Sequence, residues 1–313
     1  MEFIVTGCNG YIGSHMCYEL RKEYPDCKIY GLDRIRKPHL EHLYDTFINT
    51  DIASNHFTIP TVNAIFHFAA FISVEEGEKE PLKYYYNNVV GSLNLIKESV
   101  AANIPHFIFS STAAVYGEWN GTMFGLMEEN QNCRPTSVYG KTKYMVEQVL
   151  ETQKKMNVAR LRYFNACGRN VEAGLYEEHD PETHLIPLLA RNSRATIYGN
   201  DWPTEDGTCI RDYVHVVDIC RAHILVYKYM YGMSRNYFHV NEAFNIGTGN
   251  GYSVKSVVSK ANKIIHNNNM IIEYKDRRPG DVPYLVADSA KLRNTTGWSP
   301  RYDLNDIIES MKE

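Results

Sequence analysis

A glycine-rich turn, Gly7-Cys-Asn-Gly10-Tyr-Ile-Gly13, lies between an apolar run, Phe3-Ile-Val5, and an amphipathic stretch over residues 12–22. A strand that runs through a tight turn straight into a helix opens a βαβ unit, which constrains the fold more than anything else in the chain. The same turn gathers backbone N–H groups and the positive end of a helix at one point, where a phosphate can be held. Its spacing is G-x-x-G-x-x-G, one residue longer in the first gap than G-x-G-x-x-G. On the turn alone, a connection without any ligand stays open.

The alternation continues. Ile29-Tyr-Gly-Leu32, Ala64-Ile-Phe-His-Phe68, Phe107-Ile-Phe109 and Arg160-Leu-Arg-Tyr-Phe164 read as short strands, and residues 84–102 and 139–155 carry a helical period. Strands that are apolar on both faces and alternate with helices predict an α/β fold, a Rossmann-type doubly wound parallel sheet covered on both sides. Beyond residue 170 the polar, Pro- and Gly-punctuated stretches 177–184 and 200–207 indicate a smaller C-terminal substrate-binding lobe. The expected division is a nucleotide-binding domain over 1–170, with 212–235 returning to it, and a lobe made mainly from 171–313.

Charge narrows the ligands. With 33 Lys+Arg against 37 Asp+Glu, the chain has no global attraction for nucleic acid, so any phosphate must be met locally. There is no membrane-length apolar run and no basic leader before the first strand, which predicts a cytoplasmic protein with no membrane contact. Seven scattered cysteines without Cys-x-x-Cys read as free thiols. His179 and His184 flank an acidic loop, but Pro181 and the lack of a helical H-E-x-x-H spacing predict no metal there.

Asp33 stands 20 positions after Gly13 at the end of the second strand, where a carboxylate accepts from ribose hydroxyls and favours NAD. Arg34 keeps NADP open, although Asp33 would repel a 2′-phosphate. Asp51 and Ile52 fall near the adenine, Phe68, Ala69 and Ala70 along the cofactor's middle, and His67 reads as a packed strand residue. Tyr139-Gly-Lys-Thr-Lys143 sets a phenol and an ammonium one helical turn apart. Among 23 tyrosines that spacing also arises at Tyr18/Lys22 and Tyr24/Lys28, but only Tyr139 opens a helix after a strand ending in hydroxyls, Ser110-Ser-Thr112.

Through these features the chain resembles the extended short-chain dehydrogenase/reductase superfamily and, within it, the UDP-glucose 4-epimerase family. Supporting segments lie at 6–15, 86–89, 110–117, 162–165, 179–187, 198–208, 210–215 and 277–281. The resemblance implies NAD contacts from Gly7, Gly10, Tyr11, Ile12, Gly13, Asp33, Asp51, Ile52, Phe68, Ala69, Ala70, Asn88, Ser110, Tyr139, Lys143 and Tyr163. It makes Tyr139 the base at the sugar 4′-hydroxyl, its pKa lowered by Lys143 and the nicotinamide, with Thr112 at the position of a hydroxyl that is usually serine. Hydride passes from C4′ to NAD and returns to the other face of the ketone.

For the UDP-hexose substrate the resemblance implies Thr112, Asn165, His184, Leu185, Tyr198, Arg211, Arg278, Asp281 and Leu285, with Asp212 or Asp281 beside the arginines. Leu285 falls at a gatekeeper position where a residue smaller than tyrosine admits an N-acetyl group at C2. Ile72 replaces a lysine of some members, so that cofactor contact is not expected. A homodimer is implied, formed by helices 84–102 and 139–155, with Leu93, Leu95 and Ile96 as apolar surface. Nucleotide-sugar 4,6-dehydratases and decarboxylases place a carboxylate after the hydroxyl cluster, where this chain has Ala113 and Ala114. A non-catalytic NAD or UDP-sugar sensor is the other alternative, and intact Thr112, Tyr139 and Lys143 argue against it.

Overall fold

The computed structural model describes residues 1–54, 57–117, 125–179, 181–278 and 280–312. The chain opens with β1 (Glu2–Thr6), α1 (Tyr11–Glu23), β2 (Lys28–Asp33), β3 (Thr46–Asn49) and β4 (Ala64–His67). The helical segments α2 (Val74–Lys79), α3 (Pro81–Tyr84) and α4 (Gly91–Ala101) follow, the last two joined by a wide π-type stretch, Tyr85–Val90. Next come β5 (His106–Thr112), α5 (Val138–Glu151), β6 (Asn157–Tyr163), β7 (Asn165–Cys167), α6 (Leu185–Arg191), β8 (Arg194–Tyr198) and β9 (Ile210–His215). The chain ends with α7 (Val216–Arg235), β10 (Asn241–Ile246), β11 (Gly251–Ser253), α8 (Val254–His266), β12 (Ile271–Lys275), β13 (Tyr284–Leu285), α9 (Ala290–Thr296) and α10 (Leu304–Ser310).

Seven strands form one parallel sheet in the order β10-β6-β5-β4-β1-β2-β3. Its two faces explain the two-sided apolar strands. Phe3, Val5, Phe66 and Phe244 pack with Met16, Leu20 and Tyr227 of α1 and α7 in one cluster. Ile4, Ile65, Phe107 and Phe109 pack with Leu95, Val146 and Leu150 of α4 and α5 in the other. Successive side chains of a strand point to opposite faces, so a sheet covered twice needs apolar residues at every position.

Residues 212–235 do not return as a unit. Their first residues lie in β9, at the centre of a small second sheet with β7, β11 and β13, and only α7 packs on the main sheet. The strand that returns is β10, which pairs with β6. Asn241 and Glu242 dilute its apolar signal at the partly exposed edge, while Asn245 is buried and bonded to Tyr116 and Met127. The four-residue edge strand β3 and the largely exposed β12, which pairs with β8, escape the pattern because little of them is buried. Among the described residues no helix is long and apolar enough to cross a membrane.

Candidate active site

The glycine turn is closed by its own backbone. Gly7 has φ +66° and donates to Leu32 O at 2.8 Å, and Gly10 donates to Gly7 O at 2.9 Å. A Cβ on Gly13 would stand 2.0 Å from Gly7 O, and one on Gly7 would stand 2.9 Å from Ala69 N. Gly10 caps α1 without a side-chain acceptor, which leaves the N–H groups of Tyr11 and Ile12 to whatever lies before the helix. A bare helix start on a turn too tight for side chains fits a pyrophosphate. The Tyr11 phenol points away and donates to Gly168 O, so only its backbone faces this position.

Asp33 ends β2 and accepts from Asn9 N and Ile35 N, each at 3.1 Å. Arg34 lies over the Phe71 ring, 4.5 Å from its centroid. Phe68 N and Ala69 N donate to Thr6 Oγ1, which seats this segment, with Ala70 after it, beside the turn. Ile52 is buried among Ile4, Leu32 and Leu95, and Asp51 caps the next turn by accepting from Ala53 N. His67 is packed, as expected of a strand residue, between Thr6 Oγ1 and Ser92 Oγ.

Asn88, expected to contact the cofactor, is hydrogen-bonded within the chain. Its Oδ1 accepts from Phe71 N and Asn87 Nδ2, and its Nδ2 donates to Phe71 O and Thr142 Oγ1. With every polar valence used by the chain, Asn88 splints the segment after β4 to α5.

At the end of β5 the Thr112 side chain lies beside the Tyr139 phenol, its Oγ1 accepting from Ala114 N at 3.1 Å. Burial pushes that phenol up to about 12, and the neighbouring Thr112 hydroxyl pulls the other way. Lys143 is not among the causes, contrary to the expectation that it lowers the phenol. Its Nζ donates to Ser110 O at 2.8 Å and lies over Phe109, and burial brings the amine down to about 7 against the pull of Glu147. Ser110 Oγ and the Tyr163 hydroxyl are hydrogen-bonded to each other on the same side.

Beneath these groups lies a buried pair that the sequence reading missed. Arg162 of β6 grips Glu147 of α5 with Nε–Oε1 at 3.0 Å and Nη2–Oε2 at 2.6 Å, and Ser111 donates to the same carboxylate. The pair fixes α5, and so Tyr139 and Lys143, against β5 and β6. Replacing Glu147 with alanine strands a buried guanidinium, and urea unfolding is expected to show a loss of about 3–5 kcal/mol.

The small sheet supplies the other side. Arg211 Nη1 donates to Ile210 O and Val282 O, and its Nη2 lies 3.4 Å from Asp281 Oδ1. Asp212 is not its partner: this buried carboxylate instead accepts from Thr248, Gly249 and Ala287. Arg278 stacks on Tyr198 at 3.9 Å, so one face of that ring is already covered. Asn165 begins β7 beside Tyr213 of β9. Leu285 pairs with Arg211 and packs in a cluster with Ala113, Tyr116 and Phe164, next to Thr112 in the chain fold. His184 precedes Leu185 at the start of α6. Burial opposes its charge, but the Glu177 and Glu182 carboxylates raise it to about 10.

Residues 3–247 match the model of the NAD dependent epimerase/dehydratase family, and the chain belongs to that family. Its relatives narrow the class. It is 37% identical over 323 residues to the UDP-glucose 4-epimerase of Rhizobium meliloti (strain 1021), with 99% of this chain and 95% of the relative covered. The UDP-glucose 4-epimerase from Stenotrophomonas maltophila, solved with bound NAD and formylated UDP-arabinopyranose, matches with a TM-score of 0.87 at 30% identity, covering 99% of this chain and 96% of that one. The UDP-Glc/GlcNAc 4-epimerase from Campylobacter jejuni matches with a TM-score of 0.79 at 33% identity, covering 99% and 97%.

Proposed function

We propose that this chain is an NAD-dependent UDP-hexose 4-epimerase that interconverts UDP-glucose and UDP-galactose. The observation that carries the reading is the placing of Thr112 beside the buried Tyr139 phenol at the end of β5, with Lys143 held to Ser110 O behind them and Ala113 and Ala114 after Thr112. Bound NAD supplies a reversible hydride acceptor at C4 and a positive ring beside the phenol. Tyr139 takes the proton of the 4-hydroxyl and returns it after the ketone has turned over. Thr112 donates to the phenolate oxygen and holds it on the reacting hydroxyl, while Lys143 stands ready for the nicotinamide ribose. Alanines at 113 and 114 offer no acid for the eliminations of dehydratases.

The cofactor lies along Gly7, Gly10, Gly13, Asp33 and Ala69, on a domain made from 1–170 with α7 and β10. Arg211, Asp281 and Arg278 meet the UDP moiety, with Asn165, His184, Leu185 and Tyr198 around them. Incubation with UDP-galactose and no added NAD is expected to yield UDP-glucose; a 4-keto-6-deoxy product would overturn the reading in favour of a dehydratase, and binding without conversion in favour of a sensor.

Leu285 leaves room for a C2 N-acetyl group, and the resemblance to the Campylobacter jejuni enzyme supports turnover of UDP-N-acetylhexosamines as well. Leu285→Tyr is expected to cut UDP-GlcNAc conversion by at least about tenfold while UDP-glucose turnover changes little. Equal losses for both substrates would refute the gate.

The working unit is a homodimer paired through α4 and α5. Leu82, Tyr86, Leu93 and Met145 are exposed apolar side chains on or near these helices, whereas Leu95 and Ile96 cover the sheet instead. Light scattering at the mass of one chain would exclude it. Seven unpaired cysteines suit the cytoplasm.

A further inference from the structure

We propose that the loop leading into α6 binds one divalent transition-metal ion of the zinc type, with Glu177, His179, Glu182 and His184 as ligands. Each residue offers one ligand atom, and these atoms all lie within 4.8 Å of one another. Two imidazole nitrogens and two carboxylate oxygens form a donor set for a borderline-soft ion in tetrahedral geometry.

The contacts are those of a cage rather than of finished ion pairs. Glu177 is 2% exposed, and its Oε1 lies 2.8 Å from His179 Nδ1 and 2.6 Å from His184 Nδ1. All three atoms are nonetheless buried without a partner in hydrogen-bond alignment. Glu182, with a side chain 6% exposed, is oriented by the N–H groups of Thr183 and His184, which donate to its Oε1 at 2.8 and 2.9 Å. Its Oε2 is buried with no hydrogen bond, and its charged neighbour is Arg191 Nη1 at 3.7 Å.

Around a tetrahedral ion with bonds of about 2.0–2.1 Å, neighbouring ligand atoms stand about 3.4 Å apart. The ligand atoms run from 2.6 Å apart, Glu177 Oε1 to His184 Nδ1, to within 4.8 Å, so an ion would push the Glu177 carboxylate back and draw the wider pairs in. Arg191 supports the loop from outside by donating to Glu177 O at 2.5 Å.

Four protein ligands close the coordination sphere, so the ion is structural and takes no part in the transfer chemistry. The His179 ring lies against Tyr11, 6.5 Å between centroids, and His184 leads directly into Leu185. An ion there ties the glycine turn that starts α1 to the helix that starts the second lobe. The site stands on its own geometry and does not depend on the epimerase reading.

The test is a metal count on tag-free protein with its nucleotide bound, stripped with EDTA, loaded with zinc chloride and gel-filtered before mass spectrometry. Wild type is expected to retain one zinc per chain, and Glu177→Gln/His179→Ala none above background. Zinc is expected to raise the melting temperature of wild type and to leave the variant unmoved. Circular dichroism and the content of bound nucleotide check that the variant is folded. Should the double variant not fold, His179→Ala alone is expected to weaken zinc binding by at least about tenfold. Wild type holding no more zinc than the variant would overturn the proposal and leave His184 as an imidazolium between two carboxylates. Equal zinc on both proteins would overturn it too, as adventitious binding elsewhere.

Discussion

Replacing Tyr139 with phenylalanine is expected to lower the epimerase kcat by roughly 10²–10⁴, the range of a positioned acid–base group. The ring stays, so packing near Thr112 is kept, and only the atom that holds the proton is removed. Burial already holds this phenol at about 12, and the Thr112 hydroxyl beside it pulls the other way. An enzyme acting through the phenolate should therefore speed up with rising pH, and the variant should lose that slope. The check is a pH series of kcat with UDP-galactose beside measurements of bound nicotinamide and KM. A variant that retains its cofactor and KM and turns over at the wild-type rate would remove Tyr139 from the chemistry.

Gly13→Ala is the second large effect. Its Cβ would stand 2.0 Å from Gly7 O and 2.7 Å from Gly7 C, inside any tolerable contact. The turn cannot yield easily, because Gly7 is held to Leu32 and pressed against Ala69. Overpacking of this kind costs about 1–3 kcal/mol, which at the cofactor turn is a loss of NAD affinity of roughly tenfold to a hundredfold. The readouts are retained nicotinamide after gel filtration and the melting temperature with and without added NAD. Gly232→Ala is the control: it lies within α7 with nothing within 4 Å of a new Cβ, and is expected to stabilise by about 0.4–1 kcal/mol. Unchanged NAD retention in Gly13→Ala would show that the turn is not the cofactor cradle.

Much of the first half was legible because its signals are local. The glycine turn, the two-faced apolar strands and Tyr139 opening a helix after Ser110–Thr112 each follow from neighbours in the chain. The missing pieces depend on distant partners. Glu147 and Arg162 look like ordinary charged residues until the fold buries them against each other, 15 positions apart. The sequence leaves Asp212 and Asp281 both open as the acid beside Arg211, yet consecutive strand residues face opposite ways, and Asp212 turns instead to Thr248, Gly249 and Ala287. Asn88 sits in a segment with family character, but what it holds is the chain itself.

The acidic loop marks the limit most clearly. Pro181 and the missing helical spacing predict no metal, since ligands on a helix must recur at fixed intervals. The structure brings the side chains of Glu177, His179, Glu182 and His184 together outside any helix that holds all four, where no fixed interval applies. Sequence alone thus determined the parallel sheet, the cofactor turn and the Tyr139–Lys143 helix, because periodicity and turn chemistry are written within a few residues. Tertiary structure alone decided which buried charges are paired, that β10 closes the sheet's edge, and which side chains converge on α6, because burial and alignment are set by parts of the chain that meet only after folding.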